Sequence, residues 1–400
     1  VTSENLRPAS NFGLAAIDSQ FSTRINEGQY LTLQRSSCPE FKSVNSATGR
    51  DFDVKAGKDG PIVNPMNIEI KDDNGLTISS QFQCGAVFSE LSAKQYVAKM
   101  LLKNVNQKRV DGVLYLVDSR QLKNGLISEN EDDILAEHRK LIRNTIEKLN
   151  GIIDKKDALV NWLEESNTNI TYENLKALFE GEKKISEIKF LSCNFSAYSS
   201  VTTLKTSISS AEQLAGGPCE ETKKNLQDLF DYLNINIYIF QLNDNILFKQ
   251  RLKDLEKIIE DKKNYELTLA GYYSLATAMV INDLLNLIGG KASIGCKSNK
   301  DRGSNATIFS FITHAVFEHR KANISLVNFK LEDEEEKHIF LQIWWQNISY
   351  LPTLNNSGVA GNKSYRTWLE PLMKQAFGTE YEKARAFLEE FHSHSKKAEI

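Results

Sequence analysis

Cys296 and Arg302, six positions apart, could together cleave a phosphate ester. A cysteine attacks phosphorus as its thiolate, and a planar guanidinium grips two non-bridging oxygens with paired hydrogen bonds. The residues between them, Lys297, Ser298, Asn299, Lys300 and Asp301, are few enough to fold into a cup whose backbone N–H groups converge on an anion. Spacing alone is a weak signal: with five cysteines and ordinary arginine usage, Cys-x5-Arg arises by chance in roughly one such chain in five. The same step from the other cysteines lands on Val44, Glu90, Ser199 and Asn225, so only Cys296 qualifies.

The flanks strengthen the reading. Upstream, Ala292-Ser293-Ile294-Gly295 is small and partly β-branched, which suits a buried strand end. Downstream, Gly303 and Ser304 lead into residues 307–317, whose apolar positions recur at helical spacing before His319 and Arg320, favourable charges for a helix C-terminus. Strand, anion-binding loop and helix N-terminus together lower a thiol pKa and hold a phosphate. Asp301 is the one carboxylate in the loop and is the candidate general acid for the leaving oxygen; orienting Arg302 or capping the helix is its alternative role. Lys297 and Lys300 would face further phosphates on a multiply phosphorylated ring, whereas a single phosphotyrosine gives them little to bind.

Cys296-Lys297-Ser298-x-Lys300-Asp301-Arg302 resembles the active-site loop of the Cys-based inositol and phosphoinositide phosphatases. These include bacterial effectors of the SopB and IpgD kind and of the SidF and SidP kind, and the eukaryotic inositol polyphosphate 4-phosphatases. The resemblance covers this loop and a few flanking segments. It implies a secreted bacterial effector that removes a ring phosphate through a cysteinyl-phosphate, without metal or cofactor. It further implies polyphosphoinositide lipids as partners, met peripherally at the cytoplasmic face of host membranes. The 3-position (SidF-like) is favoured over the 4-position (SopB-like). Asn299 stands where relatives commonly carry a small residue, though Asn tolerates left-handed backbone angles. Gly303 stands where many have Thr or Ser, and Ser304 offers a hydroxyl one position late. A soluble inositol polyphosphate phosphatase, a protein-tyrosine phosphatase and a catalytically dead phosphoinositide-binding module remain as alternatives.

Other segments offer themselves to the site. Residues 355–366 form a Gly/Asn/Ser-rich stretch ending in Lys363 and Arg366, suited either to a second phosphate or to an ordinary surface connection. Residues 193–200, after an expected strand, either line a ring pocket or form a merely polar strand end. The pair Trp344-Trp345 reads as core rather than as a membrane wedge.

Composition narrows the function classes. A chain of 400 residues can bury a large core, and a formal charge of −3 advertises no global field for nucleic acid. The cysteines lack paired spacing and the six histidines are scattered, so neither a disulfide framework nor a metal site is expected. The chain opens on Val1 with no signal-peptide pattern, as a fragment or processed product would. Its most apolar stretch, residues 267–281, is too short to span a bilayer and reads as a buried helix leading to Gly289-Gly290 and the strand before Cys296.

Periodicity predicts helices over residues 92–105, 132–149, 220–233 and 246–261, and strands over 112–117, 187–195, 235–242 and 324–329. Residues 332–336 read as a solvated acidic face. Residues 1–90 are rich in turn signals and read as an irregular or β-rich region, with the catalytic domain expected over 91–400. Alternating helices and strands around one strand-loop-helix site argue for an α/β fold, an elaborated Cys-based phosphatase core. Oligomeric state is not legible.

Overall fold

A computed structural model describes residues 18–26, 29–36, 62, 66–72, 77–102, 112–122, 131–180, 184–196, 220–260 and 270–295, together with some residues between 312 and 340 and between 377 and 386. Its strands are β1 (Asp18–Asn26), β2 (Gln29–Ser36), β3 (Met66–Asp72), β4 (Thr77–Gln83), β5 (Val113–Leu122), β6 (Glu187–Ser196) and β7 (Lys291–Gly295). They form one 7-stranded sheet in the order β1-β2-β3-β4-β7-β5-β6. The pairings from β1 to β4 are antiparallel. From β4 through β7 and β5 to β6 they are parallel, so four strands make a parallel sheet.

The parallel half is buried on both faces, as its sequence requires. Val113-Leu-Tyr-Leu-Val117 of β5 is apolar at every position, the mark of a strand covered by helices on either side. Leu114 and Leu116 enter one core with α1 (Glu90–Leu102), α2 (Glu131–Asn150), α3 (Lys156–Glu165) and α4 (Tyr172–Phe179). Tyr115 and Val117 enter the other with α5 (Glu220–Ile235), α6 (Ile246–Glu260) and α7 (Ala270–Ile288). Each helix carries its apolar stripe at helical spacing; in α2 the buried positions described are Leu135, His138, Ile142, Thr145, Ile146 and Leu149.

The buried apolar helix expected before Cys296 is α7. It ends at Gly289, whose φ of 77° lies where only glycine is comfortable. A Cβ on the next residue, Gly290, would sit 2.7 Å from Leu285 Cδ2. Two glycines thus turn the chain sharply from α7 into β7. Among the described residues no helix is long and apolar enough to cross a membrane.

Three expectations need correction. Residues 235–242 are not a strand: Ile235 ends α5, and compact turns follow, with Phe240 N–H donating to Asn236 O (3.0 Å) and Leu242 N–H to Ile237 O (3.1 Å). The alternating isoleucines share no buried face: Ile235 and Ile239 are 74% and 61% exposed, while Phe240 and Leu242 are buried. Within 324–329 the described residues 325, 326 and 329 are not in a strand. Ser325 Oγ and Leu326 N–H donate instead to Asp254 (2.5 and 3.0 Å), a carboxylate taking the place of a ladder. The acidic run 332–336 is exposed except at its end, where Glu336 is buried and paired with Arg320.

Candidate functional site

Cys296, Lys297, Ser298, Asn299, Lys300, Asp301, Arg302, Gly303 and Ser304 lie outside the described residues, as do Lys363, Arg366 and the pair Trp344-Trp345. Cys193 is described: it lies in β6 and is buried in the core of α5–α7. The frame on either side of the candidate loop is also described. β7 is a central strand with all five residues buried, and it ends on Gly295, directly before Cys296. Ala292 and Ile294 pack into the core of α5–α7. Residues 312–317 are helical and bury Ile312, Ala315, Val316 and Phe317 in that same core, while Thr313 Oγ1 donates to Met279 Sδ of α7 at 3.7 Å. The described residues that flank 296–311 on either side therefore belong to one hydrophobic cluster.

The sheet topology singles out the same edge. After β4 the chain passes to α1, on the face of α1–α4, whereas after β7 it reaches residues 312–317, on the face of α5–α7. Neighbouring parallel strands whose continuations leave to opposite faces open a crevice at their carboxyl ends, where α/β proteins bind ligands.

A buried polar network lies at that edge, and the sequence reading missed it. Asp118 and Arg120 alternate on one face of β5, and both are fully buried. Arg120 Nε donates to both Asp118 oxygens at 3.0 Å. Nη1 donates to Cys84 O (2.6 Å) and Gly85 O (3.2 Å), just beyond β4, and Nη2 to Cys84 Sγ (3.3 Å). Asp118 also accepts from Tyr96 Oη of α1 (2.8 Å). His138 Nδ1 accepts from Val87 N–H (2.8 Å), which leaves the proton on Nε2 to be donated to Asp118 Oδ2 (3.0 Å). The imidazole is therefore neutral.

The electrostatics agree with this bonding. Burial alone would raise the Asp118 pKa, but Arg120 and His138 hold it well below the usual carboxylate range. Burial lowers His138 against the pull of Asp118. Burial pushes the Cys84 thiol up to about 11, against the opposing effect of Arg120, so Cys84 stays protonated and is no nucleophile. Two signs of the network were available in the sequence, though neither names its partners: a histidine at a core position of the α2 stripe, and an Asp-x-Arg pair on one face of a buried strand.

A second buried cluster involves the helical residues 312–317 that follow in the chain. Arg251 of α6 donates through Nε to Asp283 Oδ2 of α7 (2.7 Å) and through Nη1 to Asp254 Oδ2 (3.2 Å). Its guanidinium carbon lies 4.7 Å from the ring centroid of Phe317, and His314 Nε2 lies 3.7 Å from Asp283 Oδ1. The helical residues after the loop are thus held to α6 and α7 by charge as well as by packing. Among the described residues His319, Asp333 and Glu336 come close enough to share a cation, but Glu336 already serves Arg320.

Comparison with known protein families gives no match, and comparison with curated proteins gives none either. Among solved structures, the chain is similar to a Legionella phosphoinositide phosphatase described in connection with lipid metabolism in pathogen–host interaction. The identity is 12% and the TM-score 0.46, over 84% of this chain and 39% of that one. The chain thus spans about two fifths of that protein's length.

Proposed function

We propose that the chain is a Cys-dependent phosphoinositide phosphatase. The observation that supports this most is the frame around residues 296–311: a buried central parallel strand ends one residue before Cys296, and a helix rooted in the same core follows. That frame suits a loop that must present several backbone N–H groups to one anion. In the reaction, Cys296 thiolate forms an S–P bond as the bond from phosphorus to the inositol oxygen breaks. Arg302 holds two of the non-bridging oxygens, and Asp301 gives its proton to the departing oxygen. Water, deprotonated by Asp301, then attacks phosphorus, releasing inorganic phosphate and the thiolate. Lys297 and Lys300 read neighbouring ring phosphates, with Ser298, Asn299, Gly303 and Ser304 completing the cup. Lys363 and Arg366 serve a further phosphate. The 3-phosphate is the favoured target, on lipids at the cytoplasmic face of a host membrane.

Phosphate release from a panel of 3-, 4- and 5-phosphorylated inositol lipids, soluble inositol phosphates and phosphopeptides tests this reading. Wild-type protein should release phosphate from polyphosphoinositides, and Cys296→Ser should lose turnover while still binding them. Preference for soluble inositol phosphates would move the substrate off the membrane. Binding without release by the wild type would make the chain a phosphoinositide-binding module. Turnover by Cys296→Ser near the wild-type rate removes Cys296 from the mechanism.

A further inference from the structure

Arg120 makes an unusual crossing. It faces Gly295 directly in the parallel register of β5 and β7. Its side chain leaves β5, passes over Gly295 and reaches the carbonyl oxygens of Cys84 and Gly85 beyond β4. A Cβ built on Gly295 would lie 2.4 Å from Arg120 Nη1, 3.0 Å from Arg120 Cζ and 2.8 Å from Cys84 O. Glycine is thus the residue that lets the guanidinium through. The crossing passes the last residue of β7, one peptide bond before Cys296.

A fully buried Arg–Asp pair is poor evidence of a purely stabilising device, because well-packed apolar residues serve a core as well or better. Here the pair is also directional. Asp118 lies two residues back along β5, among Tyr96 and His138, and holds Arg120 Nε (3.0 Å) and Nη2 (2.9 Å), while Nη1 reaches on to the Cys84 and Gly85 oxygens at the Gly295 end. Of the groups around Arg120, Asp118 is anionic, and His138, Tyr96 and Cys84 are neutral. The positive end of the pair faces the exit of β7.

We propose that Arg120 is a positioning residue for the Cys296 loop: it ties β5 to the end of β4 across Gly295, fixing the point and direction in which the chain leaves the sheet. This rests on the reading of Cys296 as nucleophile. Arg120 touches no substrate; it acts through the backbone that carries the thiolate. Its fixed charge at the strand exit also favours the ionised thiol.

Three variants of the full chain test the idea, with kcat and KM measured on an aryl phosphate and on the best inositol substrate, and Cys296 alkylation by iodoacetamide followed against pH. Arg120→Met, which removes the strap and its charge, should lower kcat about a hundredfold with KM changed far less. It should also raise the Cys296 thiol pKa by about one unit. Arg120→Lys keeps the charge but cannot span both carbonyls, so kcat should fall while the thiol pKa stays near wild type. Asp118→Asn keeps the strap and removes the anion behind it, which should shift the thiol pKa downward. Thermal melts show which variants fold, and if Arg120→Met does not, Arg120→Lys carries the test. Wild-type kcat in a folded Arg120→Met or Arg120→Lys overturns the proposal. If wild-type protein hydrolyses nothing, the proposed function fails instead, and the alkylation profiles still decide the role of Arg120: no movement of the thiol pKa between wild type and Arg120→Met overturns it.

Discussion

At the scale of single residues, Gly295 leaves less room for a side chain than Gly112, Gly151, Gly290 or Gly378. An added methyl group would lie 2.4 Å from a guanidinium nitrogen and 2.8 Å from a backbone oxygen, and the latter cannot swing away. Gly295→Ala should therefore cost about 1–3 kcal/mol of stability, as overpacking does. Its cost to activity should be of comparable size, on the order of a hundredfold in kcat, because the displacement falls next to Cys296, the proposed nucleophile. Chemical denaturation and steady-state kinetics on the same preparation check both halves. Cys296 and Arg302 stand out in the sequence because their spacing and their strand-loop-helix flanks are all local to one stretch of chain. Arg120, Asp118 and His138 do not, because their meaning depends on which strands are neighbours. β4, β5 and β7 are remote in the chain, and no local pattern announces that a side chain from one will cross the second to reach the third.

Among the elements, those with a strong period were legible. α2 was expected over residues 132–149 and spans Glu131–Asn150; β6 was expected over 187–195 and spans Glu187–Ser196. Residues 235–242 misled because Ile235, Ile237 and Ile239 alternate as strand residues do, and local hydrogen bonding overrode that preference. That bonding is a run of i to i−4 and i to i−5 hydrogen bonds after α5. The segment at 325–326 misled for another reason: a distant carboxylate, Asp254, takes its donors. That carboxylate and Asp283 depend on Arg251, which joins α6 to α7 and lies against Phe317. Arg251→Met would leave both carboxylates buried without their guanidinium, and should destabilise the protein by about 3–5 kcal/mol. Urea unfolding followed by circular dichroism measures this; a change below about 1 kcal/mol would mean the cluster is relieved by water or by rotation of the aspartates.

For the molecule as a whole, the network at the sheet edge sets a pH window. His138 and Asp118 both bind protons less readily folded than unfolded, so the stability they supply is complete above the ordinary histidine range and is lost as pH falls. His138 begins the loss below about pH 6.5 and Asp118 continues it below about pH 3.9. Cys84 has the opposite sign: its raised pKa supplies stability that is lost as pH climbs from 9.0 towards about 11. Melting temperature against pH should thus show a plateau from about 6.5 to about 9, with His138→Asn flattening the acid limb and Cys84→Ala the alkaline one. Limbs unchanged in those variants would place the titrating groups elsewhere.

The position of β7 has a consequence during synthesis. The strand that joins β4 to β5 is made long after both. About 170 residues separate the end of β5 from the start of β7, so a ribosome adding 5–20 residues per second leaves the sheet divided for roughly 10–30 s. Until then β4 and β5 present strand edges with unpaired backbone groups, and Asp118 and Arg120 have no β7 to cover them. A nascent chain is most open to mispairing with a second copy during that interval, and it closes only when the strand that leads into Cys296 arrives.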